Sequence, residues 1–288
     1  MQKSQISRTA LTCAALRARY TEMPFAREIF GYLQSYHPAG TRAISSMLAF
    51  GDIAFRRVSP NRYSQLAYVE GRYCSTSDAL SRVGACHILE IASGLSPRGL
   101  CFDNGRVYVE SDLPDIISQK KEIALQLGAK HLHFKALNPF DLESLLSVGR
   151  EFFQDSDLPI AIVHEGFLGY FPDSGKYSKR TAIRNFRIFL QEFSPNGAYI
   201  TPDLTFRKKK SPALKLLGFL ASSIYRIRLY PFEDDKAALT LLKEEGFSAE
   251  FLPNSHLIQN LSCLKNFRHA AVSAAAHEYR ACLARLSC

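Results

Sequence analysis

The chain has 288 residues, of which 47% are hydrophobic, 22% charged and 11% aromatic. This is the composition of an ordinary globular protein, and it excludes a disordered, collagen-like or disulfide-scaffold protein. The 36 Lys and Arg residues outnumber the 27 Asp and Glu residues, which gives a formal net charge of +9. Seven of the basic residues fall between Leu204 and Tyr230, a stretch without acids. Such a stretch is typical of a solvated helix face or lid, and its alternative role is docking onto an anionic partner.

The seven cysteines are odd in number, and no two of them have Cys-x-x-Cys spacing. We therefore predict reduced thiols in a cytoplasmic protein, with no metal site and no disulfide framework. No apolar run reaches the roughly 18 residues that a membrane span requires, so we predict no span. The first 21 residues contain no acid. This is typical of a transit peptide or of a plain amphipathic helix, and we favour the helix.

The predicted elements change character along the chain. Up to about position 80 they are mainly helical. From His87 onward, short apolar segments alternate with helical ones. The predicted strands are His87–Ile91, Val107–Glu110, His131–Lys135, Pro159–His164, Ala198–Thr201 and Ala249–Leu252. Predicted helices begin near Pro114, Asp141 and Glu233, and another carries Ile183, Phe186, Leu190 and Phe193 at helical spacing. This alternation predicts an α/β fold with a doubly wound, mostly parallel sheet, whose ligand lies at the carboxyl ends of the strands.

The first candidate segment for a site is the end of the first predicted strand. There Glu90 and Ile91 lead into the small residues Ala92, Ser93 and Gly94. Small residues let a ligand approach the backbone closely, and a following helix offers free N–H groups. The segment has neither Gly-x-Gly-x-x-Gly nor Walker spacing. A tight turn with no ligand would have the same pattern.

The second candidate segment ends the next strand. Glu110 and Asp112 follow Ala92 by 18 and 20 residues. An acid at this place can accept hydrogen bonds from two ribose hydroxyls. The alternative is that Asp112, which precedes Pro114, caps the following helix.

The third candidate segment follows the strand that ends at His164. His164 and Glu165 are the first polar residues after a buried apolar run. Polar residues at that end of a parallel sheet usually face the site. The alternative is a structural salt bridge or a capping acid.

Together these segments resemble the leucine carboxyl methyltransferase-like family of class I S-adenosylmethionine (SAM) methyltransferases, which includes the bacterial polyketide O-methyltransferases of the tetracenomycin type. Residues 110–114, Glu-Ser-Asp-Leu-Pro, are similar to the family's Glu-Val-Asp-Leu-Pro, and residues 165–170, Glu-Gly-Phe-Leu-Gly-Tyr, to its Glu-Gly-Leu-Leu-Met-Tyr. Residues 89–99 resemble its Leu-Gly-Ala-Gly-Leu-Asp-Thr-Arg turn, although Ala92 stands for the first Gly and Ser96-Pro97 replace Asp-Thr. The likeness covers residues 4–204 and includes the opening helix around Arg17.

The resemblance implies a Rossmann-like class I methyltransferase fold in a single domain. In that fold, residues 1–82 form an N-terminal helical cap and residues 83–206 the SAM-binding core. Residues 207–232 form a basic helical lid insertion, and residues 233–288 complete the core.

The resemblance also implies SAM as the cofactor and methyl transfer to a small-molecule acceptor. The residues that it places around SAM are Arg72, Glu90, Ala92, Ser93, Gly94, Glu110, Asp112, Leu137, Asn138 and Glu165. Arg72 would bind the SAM carboxylate and Asp112 the ribose, while Asn138 could hydrogen-bond the adenine edge.

Three further residues are candidates for the acceptor side. Arg98 would orient an anionic acceptor, or would instead pair with Glu90 or Glu110. Tyr170 would line the acceptor pocket. A carboxylate acceptor is already a nucleophile, whereas a hydroxyl acceptor needs a base, and His164 is the candidate for that base.

The function predicted from the sequence is O-methylation of a carboxylate or hydroxyl of a small, polyketide-like molecule. The alternative is a SAM-binding scaffold or weakened methyltransferase whose basic stretch docks on RNA or an anionic membrane surface. Few aromatic residues are interleaved with the bases, which argues against a nucleic-acid partner. The sequence indicates no particular oligomeric state.

Overall fold

The amino-terminal part of the protein is helical, as predicted. The computed structural model describes residues 8–58, 64–102, 105–155, 157–203, 230–258, 260–264 and 280–287. The first four helices are α1 (Arg8–Tyr20), α2 (Ala26–Tyr36), α3 (Pro38–Val58) and α4 (Ser64–Val83).

A seven-stranded sheet follows these helices. Its strands are β1 (His87–Ile91), β2 (Tyr108–Asp112), β3 (Leu132–Ala136), β4 (Ile160–His164), β5 (Ala198–Thr201), β6 (Phe247–Phe251) and β7 (Cys282–Leu286). Their order across the sheet is β3-β2-β1-β4-β5-β7-β6. The first five strands pair in parallel, and β7 runs antiparallel to both β5 and β6. The predicted Rossmann-like, mostly parallel sheet is therefore confirmed. The strand order reverses direction between β1 and β4, which is where a ligand is expected.

Among the described residues, five further helices lie between the strands. They are α5 (Pro114–Gln126), α6 (Leu142–Phe152), α7 (Lys179–Phe193), α8 (Asp235–Glu244) and the short α9 (Ser255–Ile258). Side chains placed just before three of them accept hydrogen bonds from their first turns, as helix N-caps do. These capping residues are Asp141 for α6, Ser178 for α7 and Asp234 for α8. The first turn of α5 instead begins with a proline, whose missing N–H costs nothing there.

The strands are apolar because both faces of the sheet are covered. On one face, Ile162 of β4 and Tyr199 of β5 pack with the buried sides of α6, α7 and α8. On the other face, Ile88 of β1 and Val163 of β4 pack with α4 and α5. The amino-terminal helices α1 and α2 bury Leu11, Ile29 and Leu33 against Ile123 of α5 and Leu95. They therefore lie beside the turn that follows β1.

The structure differs from the sequence-based prediction at several element boundaries. Strands β1 and β5 have the predicted limits, whereas the other predicted strands begin one or two residues later or earlier. Helix α7 contains the predicted apolar positions from Ile183 to Phe193 and begins at Lys179. Strand β7 was not predicted at all, because its five residues, Cys-Leu-Ala-Arg-Leu, carry no turn signal that marks them as a strand. The division into cap, core and lid stays a prediction, and residues 207–229 of the predicted lid lie outside the described residues.

Candidate cofactor site

The turn after β1 has an unusual backbone conformation. Ala92 has a φ of 51° and Gly94 a φ of 50°, both in the left-handed region. Glycine adopts this region freely, but an alanine there costs about 1 kcal/mol or more. The Ser93 N–H donates to the Ser111 carbonyl oxygen at 3.0 Å, which ties the turn to β2. A backbone strained at a strand end is characteristic of ligand-binding turns.

Asp112 holds this turn from the end of β2. The Gly94 N–H donates to Asp112 Oδ2 at 2.7 Å, and the Leu113 N–H donates to Asp112 Oδ1 at 2.7 Å. Burial raises the pKa of Asp112, although these two hydrogen bonds act in the opposite direction. No side chain caps the start of α5, where Leu113 is the N-cap residue. The capping alternative for Asp112 is therefore wrong, and its half-buried carboxylate lies beside Gly94 instead.

Glu110 lies on the same face of β2 but deeper in the protein. It is fully buried, and its Oε2 lies 2.5 Å from Lys120 Nζ of α5. Lys120 Nζ also donates to the Ser93 carbonyl oxygen at 3.4 Å. Burial raises the pKa of Glu110, and the ammonium of Lys120 opposes that shift. The structure therefore directs Glu110 toward α5 rather than toward the edge where Asp112 lies.

Arg98 is enclosed in a buried network of charges. Its Nη2 bonds to Glu165 Oε1, and its Nη1 lies 4.0 Å from Oε1 of the buried Glu90. The guanidinium also lies over the Tyr73 ring, 4.6 Å from the ring centroid. Burial lowers the pKa of Arg98, but the carboxylates of Glu165 and Glu90 raise it above its ordinary value. Of the alternatives for Arg98, the structure places it with Glu90 and not with Glu110.

Two of the carboxylates in this network have additional partners. Glu90 Oε2 accepts a hydrogen bond from the Tyr108 hydroxyl at 2.6 Å. Glu165 Oε2 lies 3.6 Å from Nη2 of Arg17, a buried residue of α1. The first helix thus contributes directly to the site. Sequence analysis assigned no role to Arg17, whose only signal was the similarity of the opening helix.

Arg72, on α4, faces the loop that follows β4. Its Nη1 lies 3.6 Å from Oδ1 of Asp203, the second residue after β5. Both side chains are buried. Asp203 was missed by sequence analysis. Its position as a polar residue after a predicted strand is the signal that could have found it, because the same rule pointed to Asp112 and Glu165.

His164 is completely buried, with both ring nitrogens engaged. Its Nε2 lies 2.6 Å from the Tyr199 hydroxyl, and its Nδ1 lies 3.3 Å from both Asp203 Oδ2 and Thr201 Oγ1. The structure therefore gives His164 the placement of a structural histidine, because neither ring nitrogen is left to take a proton from a methyl acceptor.

The remaining predicted residues lie around the edge of the site. The Leu137 N–H donates to the Asp112 carbonyl oxygen at 3.2 Å, and the Leu137 side chain is buried. Asn138 is exposed, and its Oδ1 accepts from the Phe140 N–H at 3.2 Å. Tyr170 ends a short 3-10 turn after β4 and is about one-third exposed, at 36%. The ends of β1, β2 and β3 thus meet around Asp112, and Tyr170 lies at the end of the loop after β4.

Membrane-spanning helices and metal clusters are both absent from the described residues. None of the helices there is long and apolar enough to cross a membrane. Within the same part of the chain, no three His, Cys, Asp or Glu side chains are grouped so that they could hold a metal ion.

Solved structures with the same fold exist, although no protein-family model and no characterised protein sequence matches this chain. A DUF574 family protein from Streptomyces avermitilis MA-4680 superposes with a TM-score of 0.57 at 13% identity, covering 94% of this chain and 99% of that one. An O-methyltransferase family protein from Burkholderia thailandensis superposes with a TM-score of 0.50 at 14% identity, covering 88% of this chain. This chain spans 63% of the length of the Burkholderia protein. At these identities the similarity concerns the fold, and this chain therefore shares the Rossmann-like fold of both structures.

Proposed function

We propose that this protein is a SAM-dependent O-methyltransferase that acts on a carboxylate or hydroxyl of a small molecule. The observation that carries the proposal is the contact between Asp112 and the left-handed turn at Ala92–Gly94. A turn of small residues beside an acid at the next strand end is the arrangement that binds a ribose and its neighbouring groups in Rossmann-like folds. The shared fold with an O-methyltransferase family protein from Burkholderia thailandensis supports the same conclusion.

The residues present fit the chemical groups of SAM. Asp112 offers a carboxylate to the ribose hydroxyls. The Ser93 Oγ is buried and has no hydrogen-bond partner among the described residues, so it is an unsatisfied polar group directly in the turn. Gly94 has open space where a Cβ would lie, which leaves room for a ligand. The cationic Arg72 suits the carboxylate of SAM, and Leu137 and Asn138 suit the adenine.

SAM, when bound, supplies an activated methyl group, and the chain's own residues would position the acceptor and exclude water. Helices α1 and α2 cover the side of the turn, and Arg17 anchors α1 to Glu165. Holding two reactants in line contributes several kcal/mol to methyl transfer without any proton transfer. Because both nitrogens of His164 are engaged, a carboxylate acceptor, which needs no base, fits these residues better than a hydroxyl.

The narrower family assignment rests on sequence motifs. The likeness to the leucine carboxyl methyltransferase-like family, and to its polyketide branch, supports a polyketide-like acid as the acceptor. The alternative role as a scaffold on an anionic partner depends on the basic stretch at 204–230, nearly all of which lies outside the described residues. No observation among the described residues favours that alternative.

Calorimetric titration with S-adenosylhomocysteine tests the proposal. We expect micromolar binding by the natural protein and a loss of about 100-fold in Asp112→Ala, because two charge-assisted hydrogen bonds to ribose contribute about 3 kcal/mol. Asp115→Ala is the matched control, since Asp115 is an exposed acid in the first turn of α5, only three residues after Asp112. The proposal fails if the natural protein does not bind, or if the two variants lose affinity equally.

A further inference from the structure

We infer that Asp203 is a positioning residue that holds the Arg72 guanidinium in place for the carboxylate end of SAM. The inference rests on the proposed function, and it assigns to Asp203 a role that acts through Arg72. Three observations support it. Asp203 organises a backbone loop, it forms an ion pair with Arg72, and neighbouring residues fix the orientation of its carboxylate.

Asp203 joins the end of β5 to the loop that follows β4. Its carboxylate accepts hydrogen bonds from three successive N–H groups, those of Gly166 at 2.7 Å, Phe167 at 2.5 Å and Leu168 at 3.2 Å. Successive N–H groups of this kind form a concave anion site, which here is occupied by a side chain of the same protein. Gly166 has a φ of +71°, so the loop can present these groups to one carboxylate. The path of the loop from Glu165 to Tyr170 is therefore set by Asp203.

The same carboxylate faces Arg72. Oδ1 of Asp203 lies 3.6 Å from Arg72 Nη1, and a Cβ on Gly166 would lie 3.2 Å from that nitrogen. The guanidinium is thus confined between a carboxylate and a close backbone turn. Burial alone would raise the pKa of Asp203, but His164 and Arg72 lower it to about 2. Asp203 is therefore ionised at neutral pH, and the ion pair with Arg72 persists there.

A second pair of residues fixes the orientation of Asp203. The Tyr199 hydroxyl lies 2.6 Å from His164 Nε2 and suits donation to it, which places the ring proton on Nδ1. Nδ1–H then points toward Asp203 Oδ2 at 3.3 Å. With three amides, a ring N–H and a guanidinium around it, the carboxylate has its acceptor positions filled. His164 thus belongs to a positioning chain that runs from Tyr199 through Asp203 to Arg72.

The test compares two ligands that differ only at the amino-acid end. S-adenosylhomocysteine carries the carboxylate that Arg72 would bind, and 5′-methylthioadenosine lacks the amino-acid group. For Asp203→Asn in the full chain, we expect the affinity for S-adenosylhomocysteine to fall at least about tenfold and that for 5′-methylthioadenosine to change less than about twofold, as loss of one charged interaction predicts. Asp78→Asn is the control, because it removes an Asp–Arg ion pair from the same helix, α4, with Arg82 as the partner. We expect no change in the ratio of the two affinities for that variant.

A double-mutant cycle tests whether Asp203 acts through Arg72. We expect Asp203→Asn combined with Arg72→Gln to lose no more selectivity for S-adenosylhomocysteine than Arg72→Gln alone, because coupled residues are not additive. If Asp203→Asn does not fold, Tyr199→Phe takes its place, with a smaller loss of selectivity in the same direction. An equal loss for both ligands would overturn the inference and leave a purely structural role. Absence of binding of either ligand by the natural protein would overturn the proposed function, and the inference with it.

Discussion

The Gly94 amide nitrogen lies 2.7 Å from Asp112 Oδ2, so one carboxylate both holds the turn after β1 and faces the place proposed for the ribose. This contact joins the turn after β1 to the end of β2, between residues 18 apart in the sequence. It links the shape of the turn to the acid that would bind the ligand, and changes on either side of it are expected to affect binding.

Gly94→Ala is expected to weaken the binding of S-adenosylhomocysteine by more than about tenfold, because the added methyl enters open space in the turn that the ligand would need. The left-handed φ adds a loss of about 1 kcal/mol in unfolding free energy. Gly84→Ala is the matched control, since Gly84 also has a positive φ and open space but lies before β1. It should show the same loss of stability with unchanged binding. Equal binding by the two variants would place the ligand elsewhere.

Ala92→Gly is expected to stabilise the protein by roughly 0.5 kcal/mol, because glycine removes the left-handed strain at φ 51° at some cost in chain entropy. Urea unfolding measures the change. The same substitution at Ala43, an exposed position inside helix α3, should instead destabilise by about 1 kcal/mol. Destabilisation at both positions would show that the turn relaxes in solution.

Lys120→Met is expected to lower the unfolding free energy by about 3–5 kcal/mol, because it leaves the buried Glu110 carboxylate without its counter-charge. Adding Glu110→Gln should restore much of the loss, since the uncompensated charge is then gone. Lys135→Met, which breaks the exposed pair with Glu151, should change stability by less than about 1 kcal/mol. If the double variant is no more stable than Lys120→Met, packing rather than charge explains the loss.

The pH dependence of stability should distinguish Asp203 from Asp112. Asp203 has a folded pKa of about 2 against an ordinary value of 3.8. Its contribution of about 2 kcal/mol is therefore present above pH 4 and is lost as the pH falls toward 2. The difference in unfolding free energy between the natural protein and Asp203→Asn should therefore be constant above about pH 4 and should fall as the pH approaches about 2. A difference that already declines at pH 6 would indicate a histidine instead.

The contribution of Asp112 to the unfolding free energy should change with pH in the opposite direction, because burial raises its pKa in the folded protein. Its contribution is full below the unfolded pKa and declines as the pH rises through the folded pKa. The comparison of the natural protein with Asp112→Asn across the acid range measures it. A decline on lowering the pH would show that the hydrogen bonds from Gly94 and Leu113 outweigh burial.

The α/β order of the elements could be predicted because it is a local property. Short apolar runs separated by amphipathic segments favour buried parallel strands, and Pro114 and Asp141 start helices by their own chemistry. Strand β7 could not be predicted in this way. Its place between β5 and β6 depends on long-range pairing, such as Ile200 with Leu283, for which a five-residue segment carries no local signal.

In the candidate site, too, the features that depend on local sequence could be predicted and those that depend on long-range contacts could not. Polar residues after apolar strands pointed to Asp112, Glu165 and the turn at Ala92–Gly94, because parallel strands bring their carboxyl ends to one edge. The strand-end pattern alone did not distinguish Asp112 from Glu110, which lie on the same face of β2. Their depth in the protein distinguishes them, because Asp112 contacts the Gly94 amide at the edge of the sheet and Glu110 contacts Lys120 in the interior.

The sequence by itself determined the alternation of strands and helices and the acids that follow the strands at their carboxyl ends. Only the tertiary structure decided which charges are paired. A buried charge must find an opposite charge or a set of hydrogen bonds, and the packing of α1, α4 and α5 on the sheet selects which one. Thus Arg17 meets Glu165, and Arg72 meets Asp203. These contacts join residues far apart in the chain, and no local pattern specifies the helix rotation that brings them together.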